Sequence, residues 1–402
     1  MPDLLKILSV FALVVWLLKL KWNLGGVMLI AAGVLGLLMG LGPLDILGIS
    51  YKACVAPSTV SLIVALALIM VLENILRKTD TLKKLVESLK GLLGDHRVVM
   101  ALMPAIIGIL PSAGGAYFSA PLVEESASGC SVHADRKSFI NYWFRHIWEY
   151  VSPLYPGFIL MAAVAGVPMG RVFLYQVAFP ITVLLTGAAL GFKDVPPPAP
   201  GVRKERNLKD LVPFIASFSP ILSVMVLVMA LKVDIAIAMV AVVSALFAWF
   251  RYSPTKIWAT MKESLSIKTL VLVLGVMVFK GVMEGSGAVD DLPDFFASVG
   301  VPTALVLFIL PFLVGLMTGI TIAFVGVTFP MILPLIGGQD PDMAMLAFAF
   351  ASGFAGVMYS PVHLCLVLTK DYFKSELAPI YRMMLVPEAL VVAVAVVQML
   401  VV

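Results

Sequence analysis

The residues able to do chemistry are few, and they sit beside breaks in otherwise apolar sequence. His146 and Glu149 are three apart, so on a helix they share a face, and they shortly precede the dipeptide Ser152-Pro153. His363 follows a second such dipeptide, Ser360-Pro361, inside the stretch YSPVH. Histidine titrates near neutral pH, and ionisable groups at membrane depth are costly to keep. His146, Glu149 and His363 are therefore candidates to carry a coupling proton or to meet an anion.

Two stretches of small and hydroxyl residues are the other candidates. Pro111-Ser112-Ala113-Gly114-Gly115, running on to Ser119, interrupts one apolar run, and Thr318-Gly319-Ile320-Thr321, running on to Thr328, interrupts another. A helix that restarts after such a break offers free amides to an anion. Its open carbonyls and hydroxyls offer ligands to a small cation. The two prolines, Pro153 and Pro361, remove amide donors and so add unwound backbone of their own.

Other chemistries find little support. There is no HExxH, no glycine-rich phosphate loop and no CxxC. Gly285-Ser286-Gly287 is only loosely like an intramembrane serine protease motif. Cys54, Cys130 and Cys365 are far apart and without metal spacing, so they read as packing residues. Glu73/Arg77 and Lys280/Glu284 read as structural i,i+4 ion pairs. The expectation is a protein that is not an enzyme, with no metal and no cofactor beyond a coupling ion.

The elements that must hold these groups are membrane helices. Of 402 residues 61% are hydrophobic and 13% charged, which excludes an ordinary soluble domain and makes the lipid bilayer the first partner. The net charge of +4 gives no case for nucleic acid. Apolar runs predict helices over about residues 4–20, 23–41 and 58–76, with a loop carrying Pro43, Asp45 and Pro57 before the third. Leucines at helical spacing among lysines over 78–97 predict an amphipathic surface helix. A broken hairpin over about 98–128 follows, then a long helix, about 138–166, interrupted at 152–157, and a helix over 170–191. The prolines and charges of 193–210 make a solvated linker. After it, helices are predicted over 211–231 and 233–250, then a basic turn with Arg251, Lys256 and Lys262. A helix over 268–283, an amphipathic stretch 286–299, a second hairpin over 301–337, a helix over 343–368 broken at 359–363, and a last helix over 378–401 complete the chain.

The two halves repeat. Pro104, Gly108 and Glu73 each precede Pro311, Gly315 and Lys280 by 207 residues, and the two Ser-Pro breaks are 208 apart. Residues 77–97 are basic, whereas 284–300 carry Glu284, Asp290, Asp291 and Asp294 without Lys or Arg. Basic loops stay cytoplasmic, so the repeats are opposed in the membrane. The predicted fold is an all-α polytopic membrane protein of two inverted repeats, residues 1–192 and 211–402. Each has five transmembrane helices and one re-entrant hairpin, and both termini lie outside.

Two inverted repeats, each with a small-residue hairpin followed by a helix broken at proline, resemble the ion transporter superfamily. That group includes divalent-anion/sodium symporters, citrate and gluconate permeases, arsenite permeases and the large membrane subunit of binding-protein-dependent carboxylate transporters. The likeness is closest to a prokaryotic integral-membrane family within it. TGITIAFVGVTFPMILP, Thr318 to Pro334, resembles the second hairpin of gluconate- and dicarboxylate-type members. The resemblance implies a homodimer in the prokaryotic cytoplasmic (inner) membrane, with a scaffold and a transport domain that slides like an elevator. It carries the binding site to Ser112, Gly114, Gly115, Thr318, Gly319, Thr321 and the two Ser-Pro breaks. Sodium-coupled dicarboxylate members have Ser-Asn-Thr at both tips, and neither tip here contains Asn, which leaves sodium and protons open. The expected function is ion-coupled secondary transport of a small organic anion, a carboxylate or sugar acid. An inorganic-anion or metalloid permease is the alternative, and an intramembrane hydrolase a further one.

Overall fold

A computed structural model describes residues 3–93, 95–111, 115–128, 130–193, 195, 207–288, 298 and 300–401. Among these residues every regular element is helical. The first half contains α1 (Asp3–Lys19), α2 (Leu24–Leu38), α3 (Pro43–Val55), α4 (Pro57–Lys78) and the amphipathic α5 (Thr81–Leu92). The hairpin arms are α6 (His96–Ile107) and α7 (Gly115–Ser126). The broken helix is α8 (Ala134–Arg145) with α9 (Pro156–Ala165), and α10 (Met169–Gln176) with α11 (Ala178–Gly191) closes the half. The second half contains α12 (Leu211–Met225), continued by a π-helical turn Val226–Ala230, α13 (Ile235–Trp249), α14 (Pro254–Ser264) and α15 (Ile267–Gly285). Its hairpin arms are α16 (Thr303–Thr318) and α17 (Thr321–Ile332), its broken helix is α18 (Met343–Met358) with α19 (Leu364–Phe373), and α20 (Leu377–Val401) ends the chain.

Among the described residues, four helices are long and apolar enough to cross a membrane: Pro57–Lys78, Met169–Gly191, Leu208–Ala230 and Leu377–Val401. The pair α14–α15, bent by 60°, can supply a fifth. The other apolar helices are 10–17 residues long, shorter than the roughly 20 residues a 30 Å hydrocarbon core asks of an untilted helix.

Several boundaries differ from the sequence expectation. The loop at Pro43 is helix α3, because Pro43 occupies the first helical turn and the Asp45 carboxylate accepts the Gly42 amide at 3.2 Å. The basic turn after Arg251 is largely helix α14, started by Pro254 and capped by Ser253, whose hydroxyl accepts the Lys256 amide. The long helix predicted over 138–166 ends already at Arg145. The His146 ring sits on the Tyr142 carbonyl, Nδ1 to oxygen 2.6 Å, and so takes the acceptor that the next backbone amide would use. A 3-10 turn, Ile147–Tyr150, follows. Most of the linker and of the 286–299 stretch lies outside the described residues. The expected ion pairs Glu73–Arg77 and Lys280–Glu284 form at 3.9 and 3.6 Å.

Packing between the halves is reciprocal. Helix α2 lies along α15 and α4 along α13, while the hairpin return arm α7 packs on α19 and its counterpart α17 packs on α9. Each half thus completes its buried surface on the other.

Candidate functional site

Broken helices leave carbonyls without intrahelical donors, and lipid cannot supply them. Side chains do so here. Trp148 donates its indole N–H to the Ala105 carbonyl at 2.9 Å, and Tyr155 donates its hydroxyl to the Gly108 carbonyl. Both carbonyls belong to the end of the first hairpin's leading arm. Tyr142 performs the same service for Met358 at the end of α18, at 3.0 Å. At Gly108 the hairpin is pressed on the first break: a Cβ there would lie 2.0 Å from the Arg145 carbonyl oxygen.

The second hairpin turns at Gly319, whose φ of +63° ends α16 in the left-handed conformation glycine tolerates. Its carbonyl faces His363 Nδ1 at 2.6 Å. Thr321, the first residue of α17, donates its hydroxyl to Glu149 Oε2 at 2.7 Å and packs its methyl group on Gly157. One tip therefore touches both breaks, its own at Ser360–His363 and the other half's at Glu149 and Gly157. The two breaks also touch each other: His146 Nε2 and His363 Nε2 are 3.0 Å apart, with Glu149 Oε1 3.8 Å from His146 Nε2. His146, Glu149 and His363 are 2%, 8% and 8% exposed, so the cluster is enclosed.

The structure unites His146, Glu149, His363, Gly319, Thr321 and Ser360; the Ser360 hydroxyl would lie 2.9 Å from a Cβ on Gly319. Other predicted site residues spend their hydroxyls locally. Thr318 donates to Val314, Ser119 to Ala116 and Thr328 to Phe324, all within their own helices. Ser152 is fully buried and accepts the Leu154 amide across Pro153, while Pro361 is exposed beside its buried serine. Gly115 begins α7 and is buried; Ser112 and Gly114 lie outside the described residues.

Sequence reasoning missed Tyr142, Tyr155 and Trp148, whose aromatic signature is that of any packed helix. It also read Cys365 as packing, yet the Cys365 sulfur lies within 4.8 Å of a ring nitrogen of each histidine. Its spacing of two from His363 was the available signal.

The Thr321–Glu149 bond is testable. Thr321→Val keeps the methyl contact with Gly157 and deprives a buried carboxylate of its donor. The expected loss is about 1–3 kcal/mol, read as a lowered thermal midpoint of the purified protein, with Thr321→Ser, which keeps the hydroxyl but not the methyl contact, recovering part of it. Equal midpoints for wild type and valine variant would show that this bond carries no stability.

The fold and site define a class: all-helical proteins rich in apolar helices that fit a membrane, with interrupted helices meeting at a buried polar cluster. The chain belongs to the family described as “Protein of unknown function (DUF401)”, which it matches over residues 3–402. No curated protein matches the sequence.

Proposed function

We propose that the protein is an ion-coupled secondary transporter of a small organic anion, a carboxylate or sugar acid, working as a homodimer in the prokaryotic cytoplasmic membrane by an elevator motion. The observation that carries the reading is the convergence at Gly319–Thr321, where one hairpin tip meets both broken helices around His146, Glu149 and His363. Unwound backbone at a buried polar centre fits a site that must bind and release a hydrophilic solute. The reciprocal packing of the halves supports inverted repeats about that centre.

A cavity of about 430 Å³ reaches the first break at Pro156, beside the Gly157 that Thr321 packs on, without being lined by the cluster itself. Glu73, Arg77 and Glu263 line one part of its wall and Pro111 and Pro156 another, so it connects a charged helix border to the first hairpin and first break. Buried Arg145 supplies a positive charge suited to an anion. The hydrolase alternative draws less support, since Ser286 directs its hydroxyl to the Met283 carbonyl of its own helix.

The test is ligand-dependent thermal stabilisation, followed by liposome uptake, with carboxylates, sugar acids and inorganic oxyanions, with and without sodium and at two pH values. A ligand at a hundred times its dissociation constant stabilises by about 2.7 kcal/mol. Stabilisation by one anion class with sodium names substrate and coupling ion; stabilisation that depends on pH alone names protons. Stabilisation by oxyanions only moves the reading to an inorganic-anion permease, and uptake of no anion refutes it. Ten transmembrane helices with two opposed re-entrant hairpins also require both termini outside. A terminal reporter located inside the cell would overturn that topology.

A further inference from the structure

The two central histidines pose a problem of proton count. Each presents Nδ1 to a backbone carbonyl at 2.6 Å, His146 to Tyr142 and His363 to Gly319. A carbonyl oxygen only accepts, so each Nδ1 carries the hydrogen, and in the neutral rings each Nε2 is left with a lone pair. Those two Nε2 atoms point at one another across 3.0 Å. Two lone pairs at that distance repel, so the contact needs either a proton shared between the rings or a metal ion bound by both. The Cys365 sulfur completes a third corner, and all three ligand atoms lie within 4.8 Å of one another.

We propose that His146 Nε2, His363 Nε2 and Cys365 Sγ form a binding site for a divalent transition-metal ion of the zinc class. Two imidazoles and a thiolate are the ligand set such ions favour over magnesium or calcium, which take oxygen ligands. Zinc spaces two tetrahedral nitrogen ligands by about 3.3 Å, so the rings need move only a few tenths of an ångström. The outer layer is also in place. Metal-bound histidines characteristically donate the other ring N–H to a carbonyl or carboxylate, which fixes tautomer and ring orientation, and both rings here do so. Arg145, the residue before His146, is buried and brings a positive charge to the end of the same helix.

The site joins α8, the second hairpin tip and α19, so the ion would pin the two breaks together. A fourth position is open to Glu149, whose Oε1 is 3.8 Å from His146 Nε2, or to an incoming anion. The latter possibility alone rests on the transport reading. A dication, the thiolate, Glu149 and Arg145 together leave one positive charge.

The probe is Co²⁺, added to the purified full-length protein after chelation, with binding read by absorbance. Thiolate coordination gives a near-ultraviolet charge-transfer band, and tetrahedral geometry gives intense visible bands. The expectation is saturation at one ion per chain, displacement of the bands by Zn²⁺, loss of the charge-transfer band in Cys365→Ser, and at least 100-fold weaker binding in His363→Asn. Should these variants fail to fold, protection is measured on the wild type: Zn²⁺ should block maleimide labelling at Cys365 and leave Cys54 and Cys130 unchanged. Absence of a charge-transfer band in wild type, a band that persists in Cys365→Ser, or undiminished labelling of Cys365 with Zn²⁺ overturns the proposal. None of these readouts depends on transport, so the metal site and the transporter reading fail separately.

Discussion

Under the transport reading proposed above, a Gly319→Val variant is expected to insert and fold, yet to take up no substrate. Gly319 has φ +63°, a conformation that costs a β-branched residue about 1–3 kcal/mol. Its Cβ would lie 2.8 and 2.9 Å from the His363 amide nitrogen and Cα. Those are backbone atoms and cannot rotate away, so the tip must withdraw from the second break. The carbonyl held by His363 withdraws with it, and the buried cluster opens. The arms of the hairpin remain packed, so the protein should stay monodisperse in detergent with its thermal midpoint lowered by several degrees. Gly33→Val is the control, since a Cβ at Gly33 meets nothing within 4 Å. Wild-type uptake by Gly319→Val would remove this tip from the site.

The second large effect is on folding. Helices α16 and α18 touch backbone to backbone: a Cβ on Gly356 would stand 2.1 Å from the Phe312 carbonyl oxygen, and one on Gly315 2.2 Å from that of Gly353. Overpacking a well-filled interior ordinarily costs about 1–3 kcal/mol. Gly356→Leu should exceed that range, because the atoms it meets, the Phe312 carbonyl and the Leu316 amide nitrogen, are main chain and the whole hairpin must be displaced. Little or no folded protein is expected on fluorescence-detected size exclusion, with Gly356→Ala intermediate between leucine and wild type. A well-folded leucine variant would mean that α16 and α18 can separate freely.

The places where the backbone breaks were legible in the sequence because glycine and proline act locally. Gly319 ends its helix by taking the left-handed conformation, and Pro361 removes an amide where α18 stops, although Ser219-Pro220 runs on inside α12. Proline misled when it starts a helix instead: Pro43 and Pro254 sit in first turns, where no amide is needed. Charge and spacing also pointed to His146 with Glu149 as a pair on one helix face, and to His363 separately. Their meeting was not legible, since the two histidines are far apart in sequence and joined only by the way the halves interlock. Cys365 was lost for the same reason. A thiol two residues from a histidine has no evident partner until the other half brings His146 to it.

The exchange of surfaces between halves has a consequence for the order of synthesis. Chains emerge N-terminus first at about 5–20 residues per second. The return arm α7 leaves the ribosome early, but the helix it packs on, α19, is nearly the last to appear. Until then the first half must sit in the bilayer with one flank of its hairpin covered only by lipid or by a helper protein. Insertion can proceed helix by helix, but assembly of the centre has to wait for the final segments. Chains stopped short of α19 would carry every residue of the first half and still lack a finished interior.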